Sequence, residues 1–401
     1  MKFFMFHLMP YRDLPEDFEE RHDSAWVWVP NELVDPARVA SYYAEYLDEL
    51  AHAEELGFDG VCVNEHHQNV YGLMPSPNII AGALSQRTQR MRIAIVGNAL
   101  PLYNPPTRVA EEIAMLDLLS GGRIIAGQVI GGGPEYYSFS LNPAEARTRF
   151  AEAHEIIMRA WTQDGPFEFY GEHYKLRYIN PTPKPLQKPH PPIWIPGVGS
   201  LETMDFVAKH RYCYMGIPYF HIDFFKKTYG LFKKACEKEG YTAHPEQMGL
   251  LMPVYVGETD EQARREYEEH FWYFKRKLIP GLLLSPPGYT SPQSAVRVFK
   301  GVETQFISGV ETWDDVERGT YAVCGSPDTV FEKLAEHNHE LGAGNLLTLL
   351  QIGNMPHDKA RANMERFAEQ VMPRLREEFP DAAEPLPTPI AFPDEQLAEV
   401  A

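Results

Sequence analysis

The chain has 401 residues, of which 44% are hydrophobic and 23% charged, the balance of a globular protein with a large core. Its formal net charge of -19 argues against nucleic acid or an anionic membrane as partner, because both call for a basic surface. No segment approaches the ~20 apolar residues of a membrane span. Cys62, Cys213, Cys236 and Cys324 form no Cys-x-x-Cys pair, so buried thiols in a reducing, cytoplasmic setting are expected.

Strand-like and helix-like segments alternate along the chain. Lys2–Leu8 predicts a strand; the apolar N-terminus is too short, and too broken by His7 and Pro10, for a signal peptide. Residues 36–56 predict a helix with Pro at its start and Gly57 just past its end. Gly60–Val63 is the second expected strand, followed by a helix over 77–86. Arg92–Val96 is the third, ending at Gly97-Asn98, and the helix over 106–119 closes on Gly121-Gly122. Arg123–Ile130 runs into three glycines, Gly131 to Gly133, and 144–161 is helical. Pro192–Pro196 precedes Gly197-Val-Gly-Ser200 and a helix to His210. Residues 212–217 and 222–238 form the sixth pair, 250–257 opens the seventh, and 345–352 with 357–376 completes the eighth.

Eight β-then-α units predict a (β/α)8 TIM barrel, with a doubly wound open sheet as the alternative. The barrel domain spans residues 1–378, followed by an extended tail over 379–401 rich in Pro, Ala and Glu. Insertions are expected after strand 1 (9–35), at the proline-rich 164–191, and in the strand 7 region (280–321), because each exceeds ordinary loop lengths.

In a barrel the loops after the strands share one face. That face collects Asn64-Glu65-His66-His67, Gly97-Asn98, Gly131 to Gly133, Gly197 to Ser200, and Tyr219-Phe220-His221. Glycine lets the backbone approach a ligand closely, and histidine titrates near neutral pH. A planar ligand beside a reactive centre accounts for both. Glu65-His66-His67 admits three readings: a metal site, a structural histidine bonded to Glu65, or a histidine acting in proton transfer or oxyanion stabilisation, which is favoured. The Gly197-x-Gly199-Ser200 turn opens a helix, so its free N–H groups with Ser200 and Thr203 suit an anion; Ser200 as a simple N-cap is the alternative. Trp26 and Trp28 read as packing residues before substrate wall.

Three segments together resemble the bacterial luciferase-like, flavin-dependent monooxygenases: Leu56-Gly-Phe-Asp-Gly with Glu65-His66-His67; Arg108-Val-Ala-Glu-Glu-Ile-Ala-Met-Leu-Asp117 with Ser120-Gly-Gly-Arg123; and Pro192-Ile-Trp-Ile-Pro with Gly199-Ser200. The resemblance covers nearly the whole chain. It implies a (β/α)8 barrel holding FMN in its reduced form, FMNH2, at the C-terminal face. Gly97-Asn98 matches the strand end where relatives carry a non-prolyl cis peptide under the flavin ring. Gly199, Ser200 and Thr203 match the phosphate turn, and Ile130-Gly131 the end of the fourth strand. His66 matches the histidine near the flavin, with Glu65 as its expected orienter and His67 left structural. The resemblance further implies a partner NAD(P)H-dependent flavin reductase, a small organic substrate with O2 activated as a flavin C4a-hydroperoxide, and a homodimer or tetramer. One departure is Ile130, where relatives often place an Arg on the phosphate. It keeps open a deazaflavin-dependent hydride transfer on the same fold, beside a non-catalytic flavin-binding protein.

Overall fold

A computed structural model of the protein describes residues 1–282 and 306–389. The strands among them are β1 (Lys2–Phe6), β2 (Gly60–Val63), β3 (Arg92–Ala99), β4 (Ile124–Val129), β5 (Phe167–Tyr170), β6 (Lys175–Ile179), β7 (Ile193–Gly197), β8 (Cys213–Gly216), β9 (Met248–Val256), β10 (Val323–Gly325) and β11 (Asn345–Leu349). Eight pair in the order β1-β2-β3-β4-β7-β8-β9-β11, all parallel, and β11 returns to β1 with Lys2 opposite Asn345. That last pairing closes a (β/α)8 barrel and removes the doubly wound alternative. β10 lies beside the far half of β9, Val323 opposite Val254.

The barrel strands are short apolar runs because both their faces are covered; all nine residues of β9 are buried. The outer helices start where the sequence signals them. Asp35 accepts a hydrogen bond from the Ala37 N–H ahead of Pro36–Glu55, and Ser76, Ser200, Thr259 and Ser326 cap later helices in the same way. Helix Pro36–Glu55 buries Tyr42, Tyr46, Glu49, Leu50 and Ala53, one stripe at helical spacing.

Several elements depart from expectation. β3 runs three residues past Val96, through a bulge where its register on β4 shifts between Ile95 and Asn98. The non-prolyl cis peptide lies at Val96–Gly97. Here two backbones are pressed together: a Cβ at Gly127 would sit 2.0 Å from the Ile95 carbonyl oxygen, and one at Gly97 2.6 Å from the Gly127 carbonyl carbon. Only glycine allows that approach. The proline-rich connection folds into the antiparallel hairpin β5–β6, and a six-residue helix, Gly133–Ser138, starts on the third of the three glycines in place of an open loop. Most of the insertion expected over 280–321, and the tail beyond 389, lie outside the described residues.

Loops from distant parts of the chain knit together over the C-terminal face. The Ala25 N–H donates to the Pro280 carbonyl, the Val70 N–H to the Ala25 carbonyl, and the Leu73 N–H to the Met9 carbonyl. The Trp26 indole donates to the Leu278 carbonyl at 3.0 Å. Trp26 is thereby buried, while Trp28 is 75% exposed.

Candidate active site

A cavity of about 620 Å³ opens at this face, within the range of ligand sites. Phe6, Ile195, Met215, Leu251 and Leu347 line it, each from a barrel strand. Of the expected site residues, Glu65, His66, Gly97, Ile130, Gly131, Ser200 and Thr203 line its wall.

Asn98 and Gly199 stand one layer back. Asn98 turns its amide away from the cavity to donate to Glu65, and Gly199, at φ +76°, backs onto Thr228.

His66 is placed by a residue the sequence did not single out. Its Nδ1 donates to Glu135 Oε1 at 2.9 Å, while Glu135 Oε2 accepts the Gly132 N–H at 3.1 Å. Glu135 is therefore the first-turn acid of the short helix Gly133–Ser138 and the orienter of His66 at once. Burial pushes its carboxyl up, but the hydrogen bonds and charge from His66 and the backbone N–H groups outweigh this and hold it below the usual glutamate range. An ionised Glu135 fixes the proton on His66 Nδ1 and leaves Nε2 without a hydrogen bond among the described residues.

The expectation that Glu65 orients His66 is corrected. Glu65 Oε1 accepts from His67 Nε2 at 2.8 Å, and Oε2 accepts from Tyr103 at 2.7 Å and Asn98 at 3.1 Å. The reason is the alternation of an extended segment: residues 65 and 67 share a side, and 66 points to the other. Glu65 is a buried hub bracing the ends of β2 and β3, and His67 is its partner.

At the other end, Ser200 Oγ lies 2.8 Å from Thr203 Oγ1 and accepts the Thr203 N–H at 3.2 Å, at the start of helix Leu201–His210. Arg147, from helix Ala146–Thr162, donates to Ser200 Oγ at 3.3 Å and lies 3.9 Å from Glu202. Two hydroxyls, the free N–H groups of a helix start and a guanidinium form a donor set for a phosphate. Ile130 supplies no charge at the fourth strand end; Arg147 supplies it from a helix instead. Between the two ends, the buried Asn64 Oδ1 has no hydrogen-bond partner among the described residues, as an acceptor awaiting a ligand N–H would.

The walls near His66 are aromatic. Trp26 stacks on Tyr71 at 4.2 Å and meets His66 edge-on at 4.8 Å, so it packs behind the site. The Tyr71 and Tyr219 hydroxyls are 2.9 Å apart. Tyr219 to His221 was expected on this face: Tyr219 and Phe220 line the cavity, while His221 caps helix Ile222–Lys238.

The fold and site define a (β/α)8 barrel with an oriented histidine and an anion donor set in one cavity, and comparison gives the family. Residues 26–345 match the family model for luciferase-like monooxygenases, and the chain belongs to that family. The oxygenase component of a flavin-dependent trigonelline monooxygenase from Acinetobacter baylyi is 25% identical over 352 residues, 84% of this chain and 90% of that protein. The oxygenating constituent of 3,6-diketocamphane monooxygenase from Pseudomonas putida, solved with FMN, superposes with a TM-score of 0.70 at 18% identity, covering 93% of this chain and 98% of that one. An F420-dependent secondary alcohol dehydrogenase superposes at 0.62 and 18% identity, over 82% and 94% of the two chains. The protein is thus an enzyme of the luciferase-like monooxygenase family. No helix among the described residues is long and apolar enough to cross a membrane.

Proposed function

We propose that the protein is the oxygenase of a two-component system, taking FMNH2 from an NAD(P)H-dependent reductase and oxygenating a small organic molecule with O2. The observation that carries the reading is that one cavity holds both His66, oriented by Glu135 with Nε2 unbonded among the described residues, and the Arg147–Ser200–Thr203 donor set. Reduced FMN, when bound, would supply the activation of O2. The chain's own part is to orient and to seal. Arg147, Ser200 and Thr203 hold the phosphate, and Asn64 Oδ1 accepts from the ring system. The bulge at Gly97 with Gly131 lets the backbone approach the ring plane. His66 holds or moves a proton at Nε2, with Nδ1 fixed by Glu135. The apolar lining keeps water out.

Anaerobic loading with FMNH2 followed by O2 tests this: a near-ultraviolet hydroperoxide band persisting for seconds or longer is expected, and prompt return of the visible band of oxidised FMN with release of hydrogen peroxide would count against it. The alternative of deazaflavin-dependent hydride transfer draws support from Ile130, which leaves the fourth strand end uncharged. Competition binding separates the two, because tight deazaflavin binding without FMNH2 binding would replace the lead. We further infer a cytoplasmic homodimer or tetramer. Exposed Ile79, Met115, Leu118 and Leu119 on the adjacent helices Pro77–Arg87 and Thr107–Leu119 support self-association.

A further inference from the structure

We propose that the Tyr71–Tyr219 hydroxyl pair is the substrate-selecting element of this cavity, receiving an uncharged hydrogen-bond acceptor, a carbonyl oxygen, carried on a compact apolar molecule. The inference names a substrate class for the site just described, so it rests on that reading for the chemistry; the binding preference belongs to the protein alone.

A count of protons carries the argument. Two phenols have two O–H donors, and the 2.9 Å contact between them uses one. Neither oxygen has another hydrogen-bond partner among the described residues. Whichever phenol donates, the other keeps an unused O–H in a wall where both residues are only 3% exposed. A buried donor without an acceptor is costly, and the open cavity is where an acceptor can come from. Burial keeps both groups protonated, since it pushes both phenols well above their ordinary range.

The pair is also held for a purpose other than packing. Tyr219 sits at φ +80°, a left-handed conformation that a bulky side chain rarely adopts, and strain of this kind collects at ligand sites. Its carbonyl accepts the Ile307 N–H at 2.8 Å, and Trp26 stacked on Tyr71 fixes the other ring. The Tyr71 ring centroid is 5.1 Å from that of His66, so a group bound to the hydroxyls lies beside the proton-handling residue.

Charge narrows the class. Among the described residues, the one Lys or Arg side chain lining the cavity is Arg147, and it is engaged with Ser200 and Glu202. Beside Tyr219 the wall is aromatic: Phe220 follows it in the chain, and Phe306, with its ring centroid 5.2 Å from that of Phe220, precedes the Ile307 that donates to the Tyr219 carbonyl. A carboxylate or sulfonate placed there would be buried with no Lys or Arg beside it among the described residues, a far larger penalty than a neutral carbonyl incurs.

Calorimetric titration of the full FMN-loaded chain with cyclooctanone, cyclooctane and cyclooctanecarboxylate tests this. The ketone should bind at least tenfold tighter than either other probe. Tyr71→Phe and Tyr219→Phe should each weaken ketone binding partially, and the double variant should lose the preference over the hydrocarbon, all with unchanged thermal midpoints and unchanged FMN affinity. A ketone preference surviving in the double variant, tighter binding of the carboxylate, or no ketone binding by the wild-type chain would each overturn the proposal. If FMN fails to bind but the apo chain keeps its ketone preference, the flavin reading fails and the tyrosine assignment stands.

Discussion

Arg147 offers the sharpest test of the phosphate end, because its role depends on a group that one flavin has and another lacks. The guanidinium reaches Ser200 Oγ at 3.3 Å, and its side chain is 50% exposed. A charge-assisted hydrogen bond in a dry site contributes about 1.5–3 kcal/mol; half exposure and the nearby Glu202 carboxylate reduce this to about 1.5 kcal/mol here. Arg147→Ala should therefore weaken FMN binding by roughly tenfold and leave riboflavin binding within twofold. Fluorescence titration of both oxidised flavins against wild type and variant reads the two constants directly. The gap should shrink as salt is raised, since a half-exposed ion pair is screened. Equal losses for FMN and riboflavin would mean that Arg147 shapes the cavity rather than holding a phosphate, and no loss for either would remove it from the site.

Glu135→Gln keeps the shape of the residue but removes the charge that fixes His66, so turnover should fall by about 10²-fold with FMN affinity little changed; a normal rate in a coupled assay would refute the orienting role. Glu65→Ala strands donors on His67, Asn98 and Tyr103 in a buried site, and should cost about 3 kcal/mol or more of stability in urea unfolding. A variant unfolding at the wild-type midpoint would contradict that. The buried histidines behind the phosphate helix set the acid limit. Burial lowers His154, His190 and His210, the last to about 4 from an ordinary 6.5. The unfolded chain then binds more protons than the folded one below about pH 6.5, so stability declines as pH falls from there toward 4, with about 3 kcal/mol from His210 alone. Urea midpoints that stay level between pH 7 and 4.5 would exclude this.

The barrel was legible because its strands are apolar runs punctuated by glycine and its helices open on Pro, Ser, Thr or Asp, all local signals. His66 was legible for the same reason, as a titratable group at a strand end. Its orienter was not. Glu135 lies 69 residues away, and its only local mark is the Gly-Gly-Pro-Glu start of a helix too short to show periodicity. A search for acids in the first turn after a cavity-facing loop would have found it. Arg147 reads as one of many helix-surface cations until β4 and β7 are set side by side. Tyr71 and Tyr219 meet only when the barrel closes. Assigning Glu65 to His66 failed on geometry that the sequence does contain, since adjacent residues in an extended segment face apart.

The indole bond from Trp26 to the Leu278 carbonyl, with the backbone bonds from Ala25 to Pro280 and from Val70 to Ala25, bears on how this enzyme can be re-engineered. Segments following the first, second and seventh barrel strands act there as a single part. Exchanging the first of them for a relative's counterpart would break partners in the other two, and exchanging either of those would break partners in the first, so grafting loops singly should yield misfolded or inert chimeras. Transplanting all three together respects the unit the chain actually builds.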